Sequence, residues 1–209
     1  IVGDGDFNGD DTSDVLWRNV VTGQNALWLI NNGMRTSNVA IPAATDFSWS
    51  VIGDDDHNGD GNSDILWIHS PTGRLAVWLM DGSTRLSNTA VPDAPDDNPR
   101  DLNWQVEGFG DFDADGDDDI LWRNSTTGQN SIWLLNGGSR TGNVGLPTSA
   151  TDWSVGGSGD YDGDGNADIF WHNSSTGQNK VWLMTGTERT GNEGAPAING
   201  AGWSIVGSN

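Results

Sequence analysis

The chain has 209 residues, enough for one ordinary domain with a real core, and its 9 Lys+Arg against 30 Asp+Glu give a formal charge of −21. A protein this acidic is repelled by phosphate backbones and anionic membrane surfaces, which argues against nucleic acid as a partner and against membrane insertion. Twelve tryptophans argue against a disordered acidic tail, and the absence of cysteine excludes disulfides, thiolate nucleophiles and cysteine–zinc sites.

No apolar run approaches membrane-spanning length. No signal peptide is visible, and Ile1 opens the chain without an initiating Met, so it reads as a processed or excised piece. The first motif is "GDGDFNGDDTSDVLWRN", Gly3 to Asn19, in which five aspartates between Asp4 and Asp14 run into an apolar segment. The crowding returns three times. "GDFNGD" recurs as "DDHNGD", "GDFDAD" and "GDYDGD", and the aligned Asp6, Asp56, Asp111 and Asp160 are spaced 50, 55 and 49 apart.

Each unit predicts four short strands. In the second unit, "WSVIG" (Trp49 to Gly53) is the first and "DILW", after the acidic loop, is the second. The Thr72-Gly73 turn leads to "LAVWLM", and the Asp81-Gly82 turn leads to a fourth strand around "RLSNTAVP". The long interval comes from "DAPDDNPRDL", a Pro- and Asp-rich stretch that reads as an enlarged surface loop. No apolar period of 3.6 persists, so few positions read as helical.

Units of this length and strand content predict an all-β fold, a β-propeller of four four-stranded blades in a single repeat domain. The units run approximately 1–48, 49–103, 104–152 and 153–201, followed by a closing strand over 202–209. That last segment, "GWSIVGSN", duplicates the first-strand element that the chain's opening "IVGDGDF" truncates. A single closed ring is slightly favoured, since it leaves no strand edge open. The alternative is half of an eight-bladed ring formed by a strand-exchanged homodimer.

The acidic loop reads D-x-[DN]-x-D-[GD]-x-x-D. Positions 1, 3, 5 and 9 are Asp6, Asn8, Asp10 and Asp14, then Asp56, Asn58, Asp60 and Asp64. In the later units they are Asp111, Asp113, Asp115 and Asp119, then Asp160, Asp162, Asp164 and Asp168. Alternating hard oxygens on a tight loop suit Ca²⁺, about four ions per chain, with position 7 (Thr12, Asn62, Asp117, Asn166) offering its backbone carbonyl. Gly61, Gly116 and Gly165 at position 6 permit the sharp turn, and Asp11 tolerates it. The twelfth position, where an EF-hand has its bidentate Glu, is Trp17, Trp67, Trp122 or Trp171, so the ninth-position Asp is expected to coordinate directly. Solvated turn aspartates are the bland alternative, and fourfold strict alternation exceeds what turns require.

These residues, with "GDFNGD…SDVLWRN…TGQ…WL" repeated along essentially the whole chain, resemble the FG-GAP/VCBS repeats, the integrin-like calcium-binding repeats of secreted and surface proteins. The resemblance implies a β-propeller with Ca²⁺ between the first and second strands. It also implies an extracellular or cell-surface setting and adhesion or glycan recognition, although larger rings are usual in that family.

No catalytic constellation is legible. His57 stands in the slot of Phe7, Phe112 and Tyr161, His69 in that of Asn19, Asn124 and Asn173, and His172 in that of Arg18 and Arg123. The chain therefore reads as a non-enzymatic binding module for glycans or surface glycoproteins, or else as a structural module of a larger secreted protein. The candidate ligand face is the recurring Arg18, Asn19, Gln24; Arg123, Asn124, Gln129; and His172, Asn173, Gln178, whose planar amide and guanidinium groups suit sugar hydroxyls beside an aromatic ring. In the second unit, Ile68 and Leu75 interrupt it. The competing account of the same residues is hairpin scaffolding.

Overall fold

The computed structural model describes residues 1–92 and 102–198. Among these the regular structure is all β, with no helix. Each repeat forms one antiparallel sheet whose strands pair in chain order. The second repeat pairs Trp49–Gly53, Ile65–His69, Arg74–Trp78 and Thr89–Val91. The third pairs Trp104–Gly110, Asp119–Asn124, Asn130–Asn136 and Ser139–Leu146. The fourth pairs Trp153–Gly159, Asp168–Asn173, Asn179–Trp182 and Glu193–Ala195.

Among the described residues the first repeat has three full strands, Val15–Arg18, Asn25–Asn31 and Met34–Ile41. Its first-strand place is held in part by Val2 and Gly3, which exchange backbone hydrogen bonds with Leu16. Part of the predicted insertion (93–101) and the predicted closing strand (202–209) lie outside the described residues.

The third and fourth strands run unbroken in the first and third repeats. In the second and fourth they divide, leaving the separate hairpins Met80–Asp81/Thr84–Arg85 and Met184–Thr185/Glu188–Arg189. The break is local: one carbonyl, Leu79 or Leu183, accepts two amides from the returning strand, so the ladder slips there. A register shift also recurs in the first strand at Val51/Gly53, Val106/Gly108 and Val155/Gly157.

The chain gathers into two compact units, Ile1–Asp101 with Asn136–Arg140, and Leu102–Leu135 with Thr141–Asn209. The first buries Phe7, Leu16, Leu27, Ile65, Trp67 and Trp78 from two successive repeats in one core. The second buries Phe112, Leu121, Ile132, Ile169, Trp171 and Trp182 in the same way. A sheet has two faces, and one repeat alone leaves its apolar face wet; stacking on its neighbour covers it. Cross-strand tryptophans thicken every sheet: Trp17–Trp28, Trp67–Trp78, Trp122–Trp133 and Trp171–Trp182 sit 4.5–4.8 Å apart, tilted by 47–49°.

Candidate metal loops and ligand face

Each acidic loop folds by the same rule. The position-1 carboxylate accepts the amides of positions 5 and 6: Asp6 from Asp10 and Asp11, Asp56 from Asp60 and Gly61, Asp111 from Asp115 and Gly116, Asp160 from Asp164 and Gly165. The position-5 carboxylate accepts the amide of position 7, at Thr12, Asn62, Asp117 and Asn166. Position 3 accepts the amide of position 5 at Asn8, Asn58 and Asp162. These turns draw the side chains of alternate residues into one loop.

Position 6 is left-handed in all four loops, with φ of 64° at Asp11 and 85°, 97° and 89° at Gly61, Gly116 and Gly165. A second left-handed position, the fourth, is one that sequence reasoning passed over: Gly9, Gly59, Ala114 and Gly163 have φ of 67°, 67°, 61° and 83°. Alternation of Gly with Ala at that place was the available signal.

The ninth-position Asp does more than the sequence assigns to it. Asp14, Asp64, Asp119 and Asp168 are fully buried. One oxygen of each accepts the amide of a residue 16 places later, at Ile30, Met80, Leu135 or Met184. The other oxygen of Asp64, Asp119 and Asp168 accepts the position-2 amide at His57, Phe112 or Tyr161. The residue therefore staples the acidic loop to the far end of its own sheet. Burial pushes the Asp64 and Asp119 carboxyls up to about 7 against the pull of those amides, and it raises Asp14 as well.

Two features of the donor set fit a hard dication. Asp14 Oδ2 is buried without a hydrogen-bond partner, a costly arrangement that a cation would relieve. Carboxylate oxygens of Asp111, Asp113 and Asp115 converge within 4.8 Å of one another, as do those of Asp160, Asp162 and Asp168. The third and fourth loops, each with four carboxylates at the alternating positions, are the ones whose acids converge. Asp168 belongs to its converged trio, while Asp119 stands outside the trio of its own loop.

The ligand-face residues resolve into three groups. Arg18 and Arg123 are clamps. Arg18 donates to Gly23 O, Asn25 Oδ1, Ala44 O and Trp49 O, and its guanidinium lies 4.9 Å from the Trp67 ring centroid. Arg123, buried, donates to Gly128 O, Asn130 Oδ1, Ser149 O, Ala150 O and Trp153 O, with its guanidinium 5.0 Å from Trp171. Each ties a turn, a linker and the next repeat's first strand together. His172 contacts Asn179 Oδ1 at 2.7 Å in the corresponding place.

Asn19, Asn124 and Asn173 each accept two amides of their own turn through Oδ1. Gln24, Gln129 and Gln178 are exposed, and each accepts a threonine hydroxyl through Oε1. In the first repeat, Asn19 and Gln24 join Trp17, Asn25 and Asn38 around an open depression of about 530 Å³. Among the described residues no tryptophan pairs with Asn19, whereas Trp104 and Trp153 pair with Asn124 and Asn173.

Residues 56–122 and 111–171, together more than half of the chain, match the FG-GAP-like repeat. The chain belongs to the FG-GAP-like repeat family. Among solved structures, this FG-GAP-like chain is similar to an Agrocybe aegerita lectin described for specific recognition of non-reducing terminal N-acetylglucosamine. The TM-score is 0.66 and the identity 16%, over 91% of this chain and 50% of the lectin. It is also similar to part of the Photorhabdus luminescens Tc holotoxin pore, with a TM-score of 0.52 and 17% identity over 77% of this chain and 8% of that one. At such identities the likeness concerns the fold alone, a β-propeller-like one, and the chain spans half the length of the lectin. No curated protein sequence gives a match.

Proposed function

We propose that the chain is a calcium-stabilised, extracellular β-propeller module, non-catalytic, that recognises glycans. The observation that carries the calcium part is the fourfold loop, with its converging carboxylates at Asp111/Asp113/Asp115 and Asp160/Asp162/Asp168. Asp6, Asn8, Asp10 and Asp14, with their counterparts in the other repeats, would hold the ions. What calcium supplies there is charge neutralisation and a rigid loop beside each sheet.

Support for a glycan comes from the likeness to a lectin and from the first-repeat depression. There the Trp17 ring, the Asn19 and Gln24 amides and Asn38 offer an apolar face with polar edges, as a pyranose requires. Arg18 and Arg123 are assigned to scaffolding rather than to the ligand, because their donors are already engaged. The second reading, a spacer within a larger secreted protein, draws on that same internal use of the repeated polar residues.

A glycan array probed with the isolated chain, with calcium and with chelator, separates the two. Calcium-dependent binding that Gln24→Ala weakens supports glycan recognition. Silence across the array with folded, calcium-loaded protein supports the spacer.

A further inference from the structure

The third-strand residue that pairs with the second-strand tryptophan differs between repeats. Ala76 faces Trp67 in the second, and Lys180 faces Trp171 in the fourth. Lys180 runs its chain across the sheet and places Nζ among three indoles, 4.1 Å from the ring centroid of Trp153, 5.1 Å from Trp182 and 5.5 Å from Trp171. All three distances fall within the reach of a cation–π contact. The fourth repeat thus carries a three-tryptophan cage filled by its own ammonium.

The second repeat has the same cage with no lysine to fill it. Trp49, Trp67 and Trp78 occupy the register positions of Trp153, Trp171 and Trp182. The Trp67–Trp78 pair repeats the Trp171–Trp182 geometry, 4.6 Å apart in both and tilted by 47° and 49°. With Ala76 in place of Lys180, a pocket of about 300 Å³ is left, lined by these three rings, Ala76, Asp46 and Arg85 among others.

The surrounding arginines also correspond. Arg18 and Arg85 lie over Trp67 and Trp78, as Arg123 and Arg189 lie over Trp171 and Trp182. Burial and the two arginines work against the Lys180 charge, while Asp152 favours it. The fourth repeat nevertheless keeps the ammonium in that setting. In the second repeat the acid is Asp46, which lines the pocket and lies 3.6 Å from His69 Nε2.

We propose that the Trp49/Trp67/Trp78 pocket binds a small organic ammonium group, which takes the place that the Lys180 ammonium holds in the fourth repeat. The indole faces attract the cation, Asp46 supplies the counter-charge, and the missing lysine stem leaves the volume. An uncharged guest of the same shape would gain only the apolar contacts. The site is separate from the acidic loops and shares only Ala43 with the first-repeat depression, while Ala76, Asp46 and Lys180 lie outside that depression, so its failure and theirs are distinguishable.

The test is calorimetric titration of the calcium-loaded chain, with tryptophan fluorescence as a second readout. The probes are n-butylammonium, which reproduces a lysine side chain, and its neutral isostere 1-butanol. Choline and 3,3-dimethylbutan-1-ol form a parallel pair that separates an alkylated head group from a primary one. The expected result is one site per chain, with a charged probe preferred about ten-fold over its isostere. Ala76→Lys should abolish binding by filling the cage from within, and Lys180→Ala should open a second site. Should Ala76→Lys fail to fold, Asp46→Asn, at an exposed position, should weaken the charged probe and leave the neutral one unchanged. Equal affinity for a charged probe and its isostere, binding indifferent to both Ala76→Lys and Asp46→Asn, or no saturable binding would overturn the proposal.

Discussion

At Asp119 two backbone amides, from Phe112 and Leu135, converge on one buried carboxylate, and Asp64 receives His57 and Met80 in the same way. Their carboxyls titrate near 7 in the folded chain against an ordinary value of 3.8. Without calcium, the folded state therefore holds more protons than the unfolded one between about pH 4 and pH 7, and stability falls as pH rises across that window. Calorimetry in chelator should give a higher melting temperature at pH 5 than at pH 8. Saturating calcium, which needs the ionised carboxylates, should flatten or reverse the slope; a rising slope in chelator would contradict the assignment. Arg123 makes a second residue-scale case. Its fork reaches five carbonyl or amide oxygens that a lysine cannot span, so Arg123→Lys should cost about 2 kcal/mol in urea denaturation. A signal for this clamp was present in the sequence: Arg18/Asn25, Arg123/Asn130 and His172/Asn179 are cross-strand partners, and the second repeat replaces both members at once, by Ile68/Leu75. A pair that turns apolar together is a pair in contact.

Strands and turns follow from local chemistry, and here the sequence was a good guide. The apolar runs in "DILW" and "LAVWLM" and the T-G and D-G turns sit where the ladders and reversals fall. The splitting of the hairpins at Leu79 and Leu183 was not legible, because it depends on which amides of the returning strand share one carbonyl. The glycine of the T-G turn shows the limit of a local reading. Gly128 has φ of 73°, and a Cβ there would lie 2.0 Å from Ser149 O, since the outgoing linker docks on the turn through the Ser149 amide and Gly128 O. Gly128→Ala should therefore destabilise by about 2 kcal/mol or more, through both backbone strain and the clash. Thermal denaturation checks this, with Gly137→Ala as comparator: φ is 57° there, but the added Cβ meets nothing within 4 Å. Equal losses in the two variants would remove the docking argument.

Across the whole molecule, a formal charge of −21 makes cation binding a stability question. Chelation should lower the melting temperature and calcium restore it, by about 2.7 kcal/mol for each site held at a hundred times its dissociation constant. Titration calorimetry should resolve tighter sites for the third and fourth loops, whose acids converge, and weaker ones for the first and second. No effect of calcium on melting would sink the loop assignment. Assembly is a second question at this scale. Phe7, His57 and Phe112 at loop position 2 are fully buried, and the Phe7 and His57 carbonyls accept the turn amides of Gly82 and Gly138. Their counterpart Tyr161 is 50% exposed. A ring left half-exposed at the place where its counterparts are covered by the next repeat's turn leaves room for another repeat. Light scattering is expected to show a mass above 22.2 kDa at high concentration, returned to monomer by Tyr161→Asp. A monomer at every concentration that loses stability on deletion of Gly202 to Asn209 would instead favour closure by the chain's own last segment.

The sequence by itself determined the repeat, the four-strand plan of the second, third and fourth units, the acidic loops and their left-handed sixth position. Each of these is written within a dozen neighbouring residues, where turn chemistry and alternation act directly. Only the tertiary structure decided that the ninth-position aspartate is a buried staple, that the arginines are clamps, and that one tryptophan cage holds a lysine while another holds a pocket. Those roles depend on partners 16 to 31 residues away, or on the packing of one repeat against the next. Sequence repetition marks such positions as equivalent, but it does not say what they touch.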